Sequence, residues 1–367
     1  MESKAYKLMI PGPVEVSEEV LKAMGSQVQA HYGPAWVTFY NETLTMLKKV
    51  FNTTGDVFLM VGSGTVAIDA CIGSALSTGE KIIVGNNGFF GERLVSVAQS
   101  YGLNVIEVKS EWGKPLAPSD FETALQQYPD AKAVAVVHLE TSTTVLNPIE
   151  EIGPIVRAHE GLFIVDAVSS LGGVPFEMDR WCIDFCASAV QKCLGAPPGL
   201  GPVAVNARGW AAIDRNPNKN HGWYSDLRTW RKYATEWGDW HPSPITMATS
   251  NVVALHVALE QLMQEGIEIR LARYKTLALR LRAGLRRLGY RLFTPDNEMT
   301  PVLTAAYCPA GVSSGRIVAY LSDQYQIKIS GGLGELKEKM FRIGTMSPLV
   351  SEADIDHLLL ALEKFNQ

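Results

Sequence analysis

Three short segments of the chain carry residues that are able to do chemistry, and the first is a glycine-containing turn. Ser63, Gly64 and Thr65 stand between an apolar run and a segment with helical spacing. Glycine permits a close backbone approach, and the start of a helix offers free N–H groups and a positive dipole end to an anion. The spacing fits neither a Walker loop nor a dinucleotide fingerprint. The pattern therefore predicts a site for a single phosphate group, although an ordinary strand–helix turn has the same residue types.

The second segment ends in a carboxylate. Asp166 directly follows the apolar run Leu162-Phe163-Ile164-Val165. Ligands of open parallel sheets bind beyond the carboxyl ends of the strands, so this side chain is expected to face a ligand crevice. There a carboxylate is able to pair with a protonated ring nitrogen of a cofactor. Taken alone, Asp166 fits a helix N-cap or an ordinary loop equally well.

The third segment is a lysine among small residues. Lys192 follows Gln191 and precedes the glycine- and proline-rich stretch 195–199. Removal of a lysine from water lowers its pKa and makes a nucleophilic amine available, whereas a lone loop lysine is usually at the surface. A phosphate turn, a strand-end aspartate and a lysine, in this order, match the needs of pyridoxal-phosphate chemistry. The three segments together predict a pyridoxal-phosphate enzyme, with Lys192 holding the cofactor as a Schiff base.

The elements that must position these residues alternate between short apolar runs and amphipathic segments. Strands are predicted over 57–61, 81–84, 105–108, 133–137 and 162–165, and helices from Ser17, over 36–51, after Gly64, over 92–101 and over 150–159. Uncharged strands that are separated by helices require crossover connections. The predicted fold class is α/β, with a mostly parallel sheet between helices.

The last third of the chain has a different pattern. A long helical pattern runs from Thr249 towards Arg287, and strand-like runs over 303–307 and 326–330 precede a final helix over 351–365. The tryptophan-rich segment 221–240 has no clean period and is interpreted as an irregular surface or interface segment. The predicted organisation is an irregular N-terminal arm over 1–15, a large domain over 16–255 and a smaller C-terminal α+β domain over 256–367.

The composition excludes several classes of protein. The net charge is -5 over 367 residues and the basic residues are dispersed, which argues against nucleic acid as a partner. No apolar run reaches the roughly 20 residues of a membrane-spanning helix, and the N-terminus lacks the apolar region of a secretory signal. The five cysteines form no CxxC pair, so we expect no metal site and a reducing, cytoplasmic location.

Nearly the whole chain resembles the class V aminotransferases, which have the aspartate-aminotransferase fold (fold type I). The most specific stretch runs from Asp166 to Gly199, and within it lie Ser170-Leu171-Gly172-Gly173, Gln191-Lys192 and Ala196-Pro197-Pro198-Gly199. The chain is most similar to the alanine–glyoxylate and serine–glyoxylate aminotransferase group. The resemblance implies a large cofactor-binding domain, a smaller C-terminal domain and pyridoxal 5'-phosphate as the cofactor.

The resemblance also implies a set of cofactor-binding residues, two of which, Lys192 and Asp166, would be catalytic. Phe90 would stack on the pyridine ring, Thr141 would hydrogen-bond the ring hydroxyl, and Gln191 would help to fix the phosphate. Lys192 would also carry the proton between the substrate Cα and the cofactor. The full set is Ser63, Gly64, Thr65, Phe90, Thr141, Asp166, Gln191, Lys192 and Ser243.

The implied substrate-binding residues are Arg342, Gly12, His31 and Tyr32. The Arg342 guanidinium would bind the substrate carboxylate through two parallel hydrogen bonds, and the backbone near Gly12 would complete the clamp. In this family the active site lies at the interface of a homodimer. Ser243 would therefore reach the partner's phosphate, and His31 and Tyr32 the partner's substrate pocket. Trp240 falls where several relatives have a phosphate-binding tyrosine, and its contact with the phosphate is left open.

The predicted reaction moves an amino group from a small amino acid, such as alanine or serine, to glyoxylate or pyruvate by a ping-pong mechanism. One alternative is a pyridoxal-phosphate lyase or desulfurase of the same fold, but the loop 330–335 lacks the nucleophilic cysteine that a desulfurase needs. The other is a non-catalytic scaffold, which the presence of Lys192, Asp166 and Arg342 disfavours.

Overall fold

The structure, a computed structural model, describes residues 6–216 and 222–367, so that His221 at the start of the predicted tryptophan-rich segment lies outside the described residues. Its strands, in chain order, are β1 (Lys7–Leu8), β2 (Asp56–Gly62), β3 (Lys81–Asn86), β4 (Asn104–Lys109), β5 (Ala133–Val137), β6 (Leu139–Glu140), β7 (Val145–Leu146), β8 (Leu162–Asp166), β9 (Phe185–Ala187), β10 (Gly199–Val205), β11 (Leu303–Tyr307), β12 (Ile327–Lys328), β13 (Ser330–Gly331) and β14 (Met340–Gly344).

The helices that connect and cover these strands are, in chain order, α1 (Glu18–Met24), α2 (Pro34–Phe51), α3 (Gly64–Ala75), α4 (Phe89–Ser100), α5 (Pro118–Gln127), α6 (Ile149–Ala158), α7 (Ala207–Arg215), α8 (Gly222–Ser225), α9 (Leu227–Glu236), α10 (Thr249–Glu265), α11 (Ile267–Arg287), α12 (Ser314–Tyr325) and α13 (Glu352–Phe365). A 3-10 turn spans Gly334–Leu336. No helix of the described ranges is long and apolar enough to cross a membrane.

A seven-stranded sheet with the order β2-β10-β9-β8-β5-β3-β4 organises the larger part of the chain. The pairs among β9, β8, β5, β3 and β4 are parallel, whereas β10 runs antiparallel to both of its neighbours. Every residue of β5 and β8 is buried, because helices cover both faces of the sheet. This burial explains the continuous apolar runs, and the predicted α/β class with a mostly parallel sheet is confirmed.

The C-terminal part forms a second layer with its own apolar core. Its three-stranded antiparallel sheet has the order β11-β14-β13 and packs with α11, α12 and α13. The larger core extends along α10 to Leu262, past residue 255, and the predicted domain boundary stays a prediction. The described part of the N-terminal arm contributes Met9 to the smaller core and pairs β1 in parallel with β12. The arm is therefore more ordered than the irregular segment that its proline residues predict.

Three elements differ from the sequence-based prediction. The long helical pattern is two helices, because Gly266 has a positive φ of 88° and ends α10 before α11 begins. The run over 326–330 divides into β12 and β13, which pair with different strands. Much of the described part of segment 221–240 is helical, since Asp226 caps α9 through the N–H of Arg228.

Candidate active site

A cavity of about 270 Å3 opens at the carboxyl ends of the parallel strands, where the strand-end rule locates a ligand site. The turn after β2, the start of α4, the end of β8 and the loop before β10 all contribute to its wall. The lining residues that the sequence predicts are Ser63, Gly64, Thr65, Phe90, Thr141, Asp166, Gln191 and Lys192. Residues that are far apart in the chain thus meet around one cavity.

Part of the cavity wall is the N-terminus of α3. Ser63 is the N-cap of this helix, and its hydroxyl accepts a hydrogen bond from the N–H of Thr65 at 3.3 Å. A Cβ on Gly64 would lie 2.5 Å from Val168 Cγ2, so only glycine lets the helix start this close to the β8 loop. The free N–H groups and the dipole of α3 favour an anion at this end.

Asp166 forms a buried part of the wall. The Val168 N–H donates to its Oδ1 at 2.8 Å and fixes the carboxylate orientation. Burial raises the pKa of Asp166 to about 6, while the Val168 hydrogen bond and the positive charges of Arg93 and Lys192 act in the opposite direction. A cationic group bound in the cavity would lower the pKa of Asp166 further and favour the ionised carboxylate.

Lys192 lines the same cavity. Its amine donates to the backbone carbonyl of Pro11, which comes from the N-terminal arm. Burial lowers the pKa of Lys192 to about 8. The positive charges of Arg342 and Arg93 also lower this pKa, whereas Cys193 and Asp166 raise it. A Cβ on Gly12 would lie 2.5 Å from Lys192 Cδ and 2.8 Å from Nζ, and Gly12 has a positive φ of 94°. The arm and the lysine therefore fit together only because residue 12 is glycine.

The aromatic side of the cavity is built at the start of α4. Phe90 lines the cavity, and the guanidinium of Arg93 lies 4.8 Å from the centre of its ring. Arg93 lines the same cavity and was not predicted from the sequence. A detectable signal existed, because residues three apart on a helix share a face and Phe90 was already assigned to the site.

Arg342 is joined to the cavity through Thr141. In β14 it is 5% exposed, its Nε donates to the Gly331 carbonyl at 2.9 Å, and its Nη1 donates to the Thr141 carbonyl at 2.9 Å. The Thr141 hydroxyl in turn donates to Ser169 at 2.7 Å. Burial lowers the pKa of Arg342 to about 10, while the negative charge of Glu140 raises it. The guanidinium therefore stays protonated at neutral pH.

Four other residues that the sequence singles out lie away from the cavity of their own chain. Ser243 is buried and donates to the Ile245 carbonyl at 3.1 Å. His31 packs edge-on against His241 at 4.7 Å between ring centres, and Tyr32 packs against Trp240 at 5.6 Å. Tyr32 and Trp240 are both about half exposed on the surface. A role for these residues in a cofactor or substrate site therefore depends on a second chain.

The residues of the cavity fit pyridoxal phosphate. Its phosphate matches the N-terminus of α3. The buried Oε1 of Gln191 has no hydrogen-bond partner among the described residues, so this acceptor is free for a donor group of a ligand, whereas a phosphate would be bound by the Gln191 NH2 group. The space beside Gly12 accommodates the Lys192 amine, and Asp166 supplies the carboxylate for a ring nitrogen. The described residues contain no group of three or more metal-ligating side chains.

Comparison with known proteins agrees with this geometry. A family model described as aminotransferase class-V matches residues 14–358. An uncharacterised aminotransferase from Methanocaldococcus jannaschii is 41% identical over 92% of this chain and 87% of its own length. The (S)-ureidoglycine–glyoxylate transaminase of Bacillus subtilis is 32% identical over 97% of this chain and 89% of its own length.

The solved structures give the same result. A crystal structure described as alanine–glyoxylate aminotransferase from Nostoc sp. superposes with a TM-score of 0.96 at 32% identity, covering 100% of this chain and 97% of that chain. The predicted family, fold type and cofactor are confirmed by these matches. The chain belongs to the class-V aminotransferases, a family of pyridoxal-phosphate-dependent enzymes.

Proposed function

We propose that this enzyme moves an amino group from a small amino acid, such as alanine or serine, to glyoxylate or pyruvate by a ping-pong mechanism. The observation that carries the proposal is the meeting of the Lys192 amine, the Asp166 carboxylate and the N-terminus of α3 around one cavity. Relatives named for glyoxylate as a substrate support the choice of acceptor.

Cofactor binding divides between residues that would hold the phosphate and residues that would contact the ring. Ser63, Gly64, Thr65 and Gln191 would bind the phosphate, since the N–H groups at the helix N-terminus and the NH2 group of Gln191 are donors on residues that line the cavity. Asp166 would pair with the ring nitrogen and keep it protonated, Phe90 would stack on the ring, and Thr141 would hydrogen-bond the ring hydroxyl. When bound, the cofactor supplies an electron sink for the pair released as the substrate Cα–H bond breaks.

Lys192 performs the proton transfer. Because burial lowers its pKa to about 8, a useful fraction of the amine is neutral near pH 7. The neutral amine would take the proton from the substrate Cα, acting as a base. It would then donate this proton to the cofactor, acting as an acid. The Pro11 carbonyl, which accepts from the Lys192 amine, limits the positions that the amine adopts.

Arg342 binds the substrate carboxylate. Two of its guanidinium nitrogens already donate to backbone carbonyls, which holds the group rigidly before a substrate arrives. The backbone near Gly12 completes the clamp beside Lys192. The sequence assigns one arginine to this role, which favours small monocarboxylic substrates, and the Arg93 guanidinium in the same cavity lies over the Phe90 ring.

The active enzyme is proposed to be a homodimer with active sites at its interface. Ser243 then supplies a phosphate donor to the partner's site, and His31 and Tyr32 contact the partner's substrate. The exposed rings of Tyr32, Trp237 and Trp240 support a partner surface at this place, because large aromatic rings are enriched at interfaces. The five free cysteines support a cytoplasmic location.

The two alternatives have less support. A desulfurase needs a reactive cysteine near Arg342, but burial raises the pKa of Cys308, which directly follows β11, to about 11 and keeps it a thiol. A non-catalytic scaffold would not need Lys192, Asp166 and Arg342 together at one cavity and its adjoining wall.

An absorption spectrum of the purified protein, titrated with single amino acids, tests the proposal. A near-visible band that one small amino acid converts to the pyridoxamine form identifies the donor, and the reverse change with glyoxylate or pyruvate identifies the acceptor. A band that no amino acid shifts refutes the substrate assignment. Absence of a protein-bound band after incubation with pyridoxal phosphate and removal of the unbound cofactor refutes the role of Lys192, and Lys192→Ala is the matched control.

A further inference from the structure

Glu140 is a buried carboxylate to which the proposed function gives no role. It lies at the end of β6, is 0% exposed and directly precedes Thr141 in the cavity wall. Burying a carboxylate is costly unless hydrogen bonds compensate for the lost water. Burial raises the pKa of Glu140, while its hydrogen bonds oppose that rise. A group retained under these conditions needs a physical explanation.

The two oxygens of Glu140 bind two different segments of the active site. Oε2 accepts from the backbone N–H groups of Phe90 at 3.1 Å and Gly91 at 2.9 Å, at the start of α4. Oε1 accepts from the Ser142 N–H at 2.9 Å and from the Ser142 hydroxyl at 2.5 Å. The Ser142 hydroxyl also accepts from the N–H of Phe89 at 3.0 Å. One carboxylate thus joins the aromatic wall to the segment that carries Thr141.

The chain makes room for this carboxylate at Gly88. A Cβ at residue 88 would lie 2.5 Å from both Cγ and Cδ of Glu140 and 2.6 Å from the Ser142 hydroxyl. These distances are too short for any other residue type without displacement of Glu140. Because the φ of Gly88 is 172°, an extended conformation that any residue adopts, the glycine before Phe89 and Phe90 is required by the contact with Glu140 and not by the backbone conformation.

The same connection reaches the arginine. The carbonyl of Thr141, held between Glu140 and Ser142, accepts the hydrogen bond from Arg342 Nη1 at 2.9 Å. The negative charge of Glu140 also acts favourably on the Arg342 guanidinium, which is otherwise disfavoured by burial. A shift of the segment around Thr141 would move the acceptor that orients Arg342.

We propose that Glu140 is a positioning residue that holds Phe90 and Arg342 in a fixed relative arrangement, through α4 on one side and the Thr141 carbonyl on the other. This inference rests on the proposed function, in which Phe90 contacts the cofactor ring and Arg342 the substrate carboxylate. Glu140 itself does not line the cavity and has no direct contact with cofactor or substrate in this proposal. It couples the two binding surfaces, so that both cofactor and substrate affinity depend on it.

The substitution Glu140→Gln tests the coupling with almost no change in volume. A glutamine side chain has one acceptor oxygen, so its NH2 group must face N–H donors on one side of the connection. We expect the dissociation constant of pyridoxal phosphate and the KM of the amino donor each to rise about tenfold, which is the scale of a lost hydrogen bond to a charged group. In the cofactor-free protein, hydrogen exchange of the Phe90 and Gly91 amides is expected to accelerate by about tenfold or more.

Asp184→Asn is the matched control. Asp184 is also 0% exposed and accepts from the Phe163 N–H at 2.9 Å and from Asn206 at 3.0 Å, but it directly precedes β9 and does not line the cavity. This variant is expected to lose stability while its pyridoxal-phosphate affinity, KM and exchange at Phe90 stay within about twofold of the parent protein.

The outcomes separate the inference from the proposed function. A parent protein that binds no pyridoxal phosphate refutes the proposed function, and hydrogen exchange at Phe90 and Gly91 still tests the connection. An active parent protein with unchanged affinities in Glu140→Gln refutes the positioning role, as do equal shifts in Asp184→Asn. If Glu140→Gln does not fold, Ser142→Ala is used instead, because it removes one donor to Glu140 and the acceptor for the Phe89 N–H. Cofactor and substrate affinities that stay within about 1.5-fold of the parent protein in Ser142→Ala refute the inference.

Discussion

The low pKa of Lys192 leads to a quantitative prediction for the attachment of pyridoxal phosphate to the cofactor-free protein. Only the neutral amine forms the bond, so the rate follows the neutral fraction. Burial moves the pKa of Lys192 from 10.5 to about 8. At pH 7 the neutral fraction is then about one in ten, instead of about one in three thousand for an ordinary lysine, a difference of roughly 300-fold.

The assay is stopped-flow absorbance of the cofactor-free protein mixed with pyridoxal phosphate between pH 6 and pH 10.5. The rate should rise about tenfold per pH unit at low pH and level off above about pH 8. N-acetyl-lysine under the same conditions is the control, because it shares the ionisations of the cofactor but keeps an ordinary amine. The ratio of the two rates therefore isolates the effect of the protein.

A rate that still rises about tenfold per unit at pH 9.5 would refute the reasoning, since it would show that the folded chain does not disfavour the charged amine. The same shift has a consequence for stability. Between pH 8 and pH 10.5 the unfolded chain binds more protons at this lysine than the folded chain. The free energy of unfolding of the cofactor-free protein should therefore increase with pH across this window by up to about 3 kcal/mol, and Lys192→Met should lack this increase.

Three further predictions follow from single residues of the site. Gly12→Ala puts a Cβ 2.5 Å from Lys192 Cδ and should slow pyridoxal-phosphate attachment at least about tenfold, whereas Gly33→Ala, at a comparable φ of 86° with nothing within 4 Å, should carry only the backbone strain of about 1–2 kcal/mol seen in urea unfolding. Asp166 has a pKa of about 6 in the folded chain against an ordinary 3.8, so between these values the folded chain binds more protons at this residue than the unfolded chain. The free energy of unfolding should therefore fall by up to about 3 kcal/mol as pH rises from 4 to 6. Urea unfolding of the parent protein and of Asp166→Asn checks this, and an equal pH dependence of the two unfolding free energies would contradict it. Arg342→Lys removes the planar pair of donors and should raise the KM of the amino donor about a hundredfold with cofactor affinity unchanged. The control is Arg282→Lys, at another buried arginine, which donates to the Thr300 carbonyl. This control should leave the KM of the amino donor unchanged within about twofold.

The sequence alone was sufficient for the parts of this protein that depend on local pattern. Buried parallel strands must be apolar on both faces, so the strands of the central sheet could be recognised as uncharged runs. Because parallel strands end at one edge of a sheet, residues that follow those strands were expected to meet there. Ser63, Asp166 and Lys192 do meet at one cavity for this reason.

Other features of the site were decided only by the tertiary structure, because they join segments whose separation along the chain carries no periodic signal. The proximity of Gly12 to Lys192 depends on the path of the N-terminal arm, which β1 fixes by pairing with β12. The connection from Glu140 to α4 likewise depends on how β6 lies against the helix start. Sequence patterns report which face of an element is buried, whereas these contacts require the positions of several elements at once, and those positions are set by packing of the whole core.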